Sequence, residues 1–79
     1  MAGLGEGFSL NDLIMYVEYT GNNPLYIGYA SPGTAVSEEG WMIKKFTYDG
    51  SGNVLTALFA SGTGEFDKEW DERTSYSYS

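Results

Sequence analysis

The sequence predicts an all-β domain, mainly antiparallel, and three observations support this class. Aromatic residues make up 16% of the chain and it contains 11 glycines, a combination typical of strands separated by many turns. Apolar and polar residues alternate over several short runs. Clusters of Gly, Asn, Pro and Ser separate these runs. We expect a small four- to five-stranded meander, sandwich or partly open barrel with one short helical turn near the C-terminus.

The chain divides into an arm and one domain. Residues 1–8 are glycine-rich and are predicted to form a flexible N-terminal arm, whereas residues 9–79 form a single small β domain. A domain of this size buries only about 60–65% of its unfolded surface. The chain has no cysteine, so no disulfide can support this core. We therefore expect it to associate with other copies of itself.

Two periods compete in residues 9–19. Ser9 and Asp12 have the spacing of a capping box, which would begin a helix. The alternation of apolar side chains in the second half, with its β-branched and aromatic residues, favours a strand. We predict that a strand at 13–19 forms a hairpin with a second strand at 25–30. Residues 9–12 can form one helical turn before this hairpin.

The strongest local signal is a second hairpin, formed by residues 41–48 and 54–60. The loop between them, 49–53, reads DGSGN. Glycine and asparagine tolerate the positive φ angles of hairpin turns, and Asp and Asn side chains can bond to their own backbone.

The first strand of this hairpin has an imperfect alternation. Trp41 and Ile43 fall on one face of a regular strand. Phe46 and Tyr48 fall on the other. We predict a β-bulge at residues 44–45, because it would place all four side chains on one side.

The C-terminal residues supply the candidate binding side chains. Residues 65–73 contain two aromatic residues four apart, the spacing of one helical face, so we predict one or two helical turns that plug the open end of the sheet. Residues 74–79, TSYSYS, are expected to form a terminal strand that closes this sheet or adds to a neighbour's edge. Aromatic side chains are enriched at interfaces. The predicted partner-binding residues are Phe66, Trp70, Tyr76 and Tyr78.

Composition excludes several classes of function. The net charge is −7 with only four basic residues, which argues against a nucleic acid or an anionic membrane as partner. Histidine and cysteine are absent, which removes the commonest catalytic base and the usual zinc ligands. We predict no enzyme activity, no cofactor and no small-molecule substrate. The N-terminal residues lack the features of a signal peptide, so we expect synthesis in the cytoplasm.

The acidic run at 65–72 is the best candidate for chemistry. Three of its residues have the spacing of the first ligands of a calcium loop, namely Asp67, Glu69 and Asp71. The sixth position is Glu72 instead of glycine and the twelfth is Tyr78 instead of glutamate. We therefore predict no metal site and interpret the run as a solvated helix face.

A longer pattern carries a resemblance. It consists of YIG at 26–28, PGTA at 32–35, WxIKK at 41–45, YDGSGN at 48–53, FxxxWDxR at 66–73 and a final SYSYS. The pattern resembles a group of short proteins encoded by tailed bacteriophages and prophages, often beside virion structural genes. The resemblance covers residues 26–79 and implies location in a virion. It implies no catalytic or binding residues.

These observations favour a non-enzymatic phage virion structural protein. We expect it to self-associate and to dock on a capsid, neck, tail or fibre component, so its partners are itself and other virion proteins. The alternative is a small acidic host-directed binding module or inhibitor that acts as a nucleic-acid mimic. The contiguous acidic face expected at 65–72 motivates that alternative.

Overall fold

The computed structural model describes residues 12–79, which contain one antiparallel sheet of four strands in the order β1-β2-β3-β4. The strands are β1 (Ile14–Thr20), β2 (Asn23–Ala30), β3 (Met42–Tyr48) and β4 (Val54–Phe59). A 3-10 turn at Trp70–Glu72 follows, and this part of the chain has no α-helix. The predicted antiparallel meander is confirmed, as an open sheet and not a barrel. The arm predicted at 1–8 and the start of the capping box lie outside the described residues.

Local turn chemistry joins the strands as expected. Gly21 adopts a φ of 62° between β1 and β2, a conformation that glycine takes without steric cost. In the β3–β4 loop, one carboxylate oxygen of Asp49 accepts hydrogen bonds from the backbone amides of Ser51 at 2.8 Å and Asn53 at 2.9 Å. The Asn53 amide and side chain, followed by the Ser51 amide, hold the pKa of Asp49 below its ordinary value. Both predicted hairpins are confirmed.

The predicted bulge at residues 44–45 is wrong. Lys44 pairs with Phe59 and Lys45 pairs with Leu58 in unbroken register. The lysines fit a regular strand because each ammonium lies over an aromatic ring on its own face: the Nζ of Lys44 is 5.4 Å from the ring centroid of Phe59, and that of Lys45 is 5.8 Å from Tyr26. The β3–β4 irregularity occurs later, after residue 47. Both faces of β3 therefore carry apolar side chains.

The C-terminal segment covers one of these faces. The ring of Trp70 lies on the backbone of β2 at Gly28, where a Cβ atom would come within 2.6 Å of the ring. Trp41 and Ile43 are fully buried beneath the segment, and Trp70 itself is 7% exposed. The other buried hydrophobic residues of the covered face are Tyr26, Ala30 and Ala60.

The short helical turn predicted near the C-terminus is confirmed as the 3-10 turn Trp70–Glu72, but no helical face holds Phe66 and Trp70 together. The amide of Lys68 donates to the carbonyl of Trp41, and the amide of Trp41 donates back to Lys68, both at 2.9 Å. This antiparallel bridge requires an extended backbone at Lys68, midway between Phe66 and Trp70. The two rings consequently do not share a helical face.

The terminal strand predicted over 74–79 is reduced to a single bridge. Tyr78 pairs with Ala60, and Ser79 exchanges two hydrogen bonds of 3.1 Å with Phe59. Of the two predicted alternatives, these contacts place the end of the chain on its own sheet. Among residues 12–79, no helix is both long and apolar enough to cross a bilayer.

Replacement of Gly28 by Ala is expected to destabilise the domain by roughly 1–3 kcal/mol, the usual cost of overpacking a core. The added methyl would overlap the buried ring of Trp70. Urea unfolding followed by tryptophan fluorescence measures the change. Gly50→Ala is the matched control, because a Cβ at Gly50 meets no atom within 4 Å. Equal midpoints for the two variants would contradict this packing.

Acidification is expected to remove the stabilising effect of the Asp49 carboxylate. The folded-state pKa of Asp49 is lowered, so its contribution is present above the unfolded value of 3.8 and is lost as the pH falls through the folded value. Wild type should be more stable than Asp49→Asn at neutral pH. This difference in stability should shrink as the pH falls through the folded-state pKa of Asp49. Urea midpoints of both proteins between pH 7 and 2 test this, and a difference that stayed constant would contradict it.

Candidate interaction surface

Within residues 12–79, no strand or helix packs over the face of the sheet opposite Trp70, and Phe66 lies at one end of it. Alternation along the paired strands defines its members. We call this surface the open face, and it comprises Met15, Val17, Ile27, Tyr29, Met42, Lys44, Phe46, Ala57 and Phe59. The pairing sets them in rows, with Met15 beside Tyr29 and Tyr29 beside Met42. All these side chains are partly or largely accessible to solvent, and Met15 is 54% exposed.

A groove lies at one end of the open face. It has a volume of about 400 Å³ and is lined by Leu13, Tyr29, Met42, Lys44 and Phe66. The extended chain around Lys68 brings Phe66 to this place, and Phe66 remains 38% exposed. A shallow groove between aromatic and aliphatic side chains is suited to a protruding apolar side chain of another protein.

The electrostatics of the open face differ from those of the whole chain. Lys44 is its only charged side chain, and its ammonium lies 5.4 Å from the ring centroid of Phe59. None of the chain's 11 acidic residues belongs to the strand positions that form this face. An apolar surface with a positive centre therefore lies on an acidic protein, which favours a partner that presents apolar side chains around a carboxylate.

The structure places the four predicted partner-binding residues in different environments. Phe66 lines the groove, as just described. Trp70 packs inside the covered face, with ring centroids 5.9 Å from Trp41 and 6.0 Å from Tyr16. The hydroxyl of Tyr76 accepts a hydrogen bond of 2.8 Å from an amide of its own chain. Their role in binding a partner stays a prediction, and the residues other than Phe66 make contacts within their own fold.

Tyr78 holds the end of the chain against the rest of the fold. Its hydroxyl donates to the carbonyl of Arg73 at 2.7 Å, and its ring centroid lies 5.6 Å from that of Tyr26. Burial, followed by the nearby Tyr26 and Tyr76 hydroxyls, raises the pKa of Tyr78 above the ordinary value of 10. Tyr78 therefore stays protonated under conditions in which exposed tyrosines ionise.

Sequence reasoning missed four residues of the groove, namely Leu13, Tyr29, Met42 and Lys44. The signal was present in β3, where Met42, Lys44 and Phe46 recur at every second position. The bulge wrongly predicted at 44–45 broke this alternation and hid the second apolar face.

The acidic residues of 65–72 do not form the expected helical face. Asp67 pairs with the ammonium of Lys68, and the hydrogen bond from Lys68 holds the pKa of Asp67 below its ordinary value. Across the covered face, Arg73 donates to Glu18 at 2.7 Å. Residues 12–79 contain no group of three or more acidic, His or Cys side chains that could hold a metal ion.

Comparisons with known proteins add no relatives. No family model, curated protein or solved structure matches this chain.

Replacement of Tyr78 by Phe is expected to lower stability by about 0.5–1.5 kcal/mol, because the carbonyl of Arg73 loses its donor. The raised pKa adds a pH dependence. The contribution of the Tyr78 hydroxyl to stability is fully present below the unfolded pKa of about 10. It is lost as the pH rises through the higher folded-state pKa.

Absorbance at 295 nm during alkaline titration follows tyrosine ionisation. In wild type, Tyr78 should ionise only together with unfolding, and Tyr78→Phe should lack that late step. Tyr19→Phe is the control, because Tyr19 is 55% exposed. Loss of the same late step in both variants would refute the assignment to Tyr78.

Proposed function

We propose that this chain is a non-enzymatic structural protein of a bacteriophage particle that docks through its open face on another protein of the particle and associates with copies of itself. The observation that carries the proposal is a sheet with two apolar faces, of which the described chain covers one. The component on which it docks belongs to the capsid, neck, tail or fibre. The virion setting derives from the resemblance of residues 26–79.

Hydrophobic burial supplies the driving force for docking. Covering a largely exposed aliphatic or aromatic side chain gains on the order of 1 kcal/mol or more. The open face offers one largely exposed side chain, Met15, and several partly exposed ones in the same contiguous patch, including Tyr29 and Met42. Contiguous apolar patches of this kind mark interaction sites on soluble proteins.

Charge narrows the chemistry of the partner. Lys44 lies in the middle of the apolar rows and needs an oxygen acceptor when water is removed. A virion protein that presents a carboxylate surrounded by apolar residues meets both requirements. A nucleic acid does not, because Lys44 is the only cation among apolar neighbours and the chain carries a net charge of −7.

The nucleic-acid mimic loses its structural premise. It depended on a contiguous acidic helix face at 65–72, whereas these residues form an extended segment followed by a three-residue turn. One of the carboxylates, Asp67, is paired with Lys68. No contact within the described residues favours this alternative over docking through the open face.

The test is incorporation into particles. Met42→Glu places a carboxylate in the groove, and we expect its copy number per particle to fall at least about tenfold, because docking would bury that charge. Ser37→Glu is the matched control, since it makes the same charge change in an exposed loop away from the open face. Quantitative mass spectrometry of purified particles, with each variant produced in place of wild type, gives the copy numbers. Thermal melts of both isolated variants establish that they are folded.

Each outcome has a distinct meaning. Wild type and Ser37→Glu at a fixed copy number, with Met42→Glu depleted, support the proposal. Wild type that is expressed but absent from particles would refute a structural role in the virion. Normal incorporation of Met42→Glu would show that a different surface docks.

A further inference from the structure

The outer edge of β4 leaves backbone groups without partners in the described chain. The amide of Ala60 donates to the carbonyl of Ile43 at 3.0 Å, so the backbone of Ala60 faces β3. The amide and carbonyl of Phe59 face the opposite way and bond to Ser79. Antiparallel pairing alternates these directions, so the amide and carbonyl of Ala57 also point outward. Beyond Ser79, nothing within residues 12–79 pairs with this edge.

The composition of β4 leaves this edge unprotected. Natural edge strands usually carry Lys, Pro or an inward charge that prevents pairing with another chain. The strand Val54–Phe59 contains neither charge nor proline, and its Val54 and Leu55 are 57% and 63% exposed. An irregularity opposite Tyr48 leaves Leu55 without a partner on β3, whereas Thr56–Phe59 pair in regular register. By contrast, the other edge strand, β1, carries an acidic residue, Glu18.

We propose that β4 pairs antiparallel with β4 of a second copy across a two-fold axis at Thr56, so that Ala57 bonds to Leu55 of the partner subunit and Leu55 bonds to Ala57 of the partner subunit. Thr56 uses its backbone toward Thr47 in its own sheet. It therefore meets Thr56 of the partner subunit as a non-hydrogen-bonded pair, with Cα atoms about 4.5 Å apart. This pairing gives the geometry of the self-association stated under the proposed function, and it rests on that proposed function.

Charge and symmetry favour a second copy as the occupant. Each copy carries a net charge of −7, so two copies approach most easily where neither presents charge, and residues 53–64 contain no charged side chain. An antiparallel edge related to itself by a two-fold axis is self-complementary, as an isologous contact requires. Ser79 already occupies Phe59, which limits the overlap to a short stretch centred on Thr56. The resulting pair is weak by itself and gains strength when copies are held together in a particle.

The pairing has a consequence for the docking surface. A two-fold axis that relates two strands within one sheet stands perpendicular to that sheet. The two open faces therefore lie on the same side of a continuous sheet of eight strands, four from each copy. Ala57 and Phe59 adjoin the junction, so the two apolar patches become neighbours.

Disulfide trapping tests the pairing. The chain has no cysteine, so Thr56→Cys introduces a single thiol. A Cα separation of about 4.5 Å lies within the disulfide range. Under copper-phenanthroline oxidation we expect Thr56→Cys to dimerise at least about tenfold faster than Ser37→Cys, a thiol in an exposed loop away from the edge. Equal rates would overturn the proposal.

A proline at the edge distinguishes hydrogen-bonded strand pairing from random collision of the introduced thiols. Ala57→Pro removes the outward amide and leaves the hydrogen bonds between β3 and β4 in place. In the Thr56→Cys background it should reduce the rate of dimer formation to that of Ser37→Cys. A cooperative thermal melt of the double variant establishes that it is folded. Undiminished dimer formation in a folded double variant would refute the hydrogen-bonded register.

Amide exchange of the wild-type chain provides a test that needs no variant. The amide hydrogen of Ala57 should exchange slowly at high protein concentration and rapidly on dilution, because only the β4–β4 pair protects it. The Phe59 amide bonds to Ser79 in its own chain and should keep the same protection throughout. Concentration-independent exchange at Ala57 would overturn the pairing. The copy number of Met42→Glu in particles tests docking through the open face, and it does not depend on the trapping and exchange experiments. Failure of docking and failure of pairing are therefore distinguishable.

Discussion

The contact between the ring of Trp70 and the backbone at Gly28 is the constraint on which the rest of the fold depends. A single four-stranded sheet cannot form a core without a second layer. Here the layer is the C-terminal segment, and Trp70 supplies its largest apolar surface. The ring reaches β2 because residue 28 has no side chain, which lets it also contact Trp41. This contact decides which face of the sheet is inside.

The same segment explains why residues 12–79 leave the other face open. The bridge between Lys68 and Trp41 extends the chain between Phe66 and Trp70, so one ring enters the core and the other reaches the groove. A helix with the same spacing would have placed both rings on one side. The backbone hydrogen bonds of Lys68 therefore produce both the closed interior and the exposed apolar surface at which we propose docking.

The parts of the fold that are predictable from sequence are those determined locally. The β3–β4 hairpin follows from the Asp49 carboxylate bonding to the amides of its own loop, and the β1–β2 turn follows from Gly21. The shared helical face for Phe66 and Trp70 and the bulge at 44–45 were predicted wrongly, because distant residues decide the backbone at both places. Trp41 imposes an extended backbone on Lys68, and rings on two different strands accommodate the lysines of β3. The groove was missed for the same reason, apart from Phe66.

The two surfaces that residues 12–79 leave without a partner meet at Ala57, whose side chain lies on the open face and whose amide points away from β3. In the proposed pair, both open faces lie on one side of the joined sheet, so a partner that covers one groove would lie next to the second. Binding at the first site then raises the effective concentration at the second, which adds affinity without new contacts. The net charge of −7 opposes contact elsewhere on the surface. In both proposals, an acidic chain associates through the two surfaces on which it carries no carboxylate.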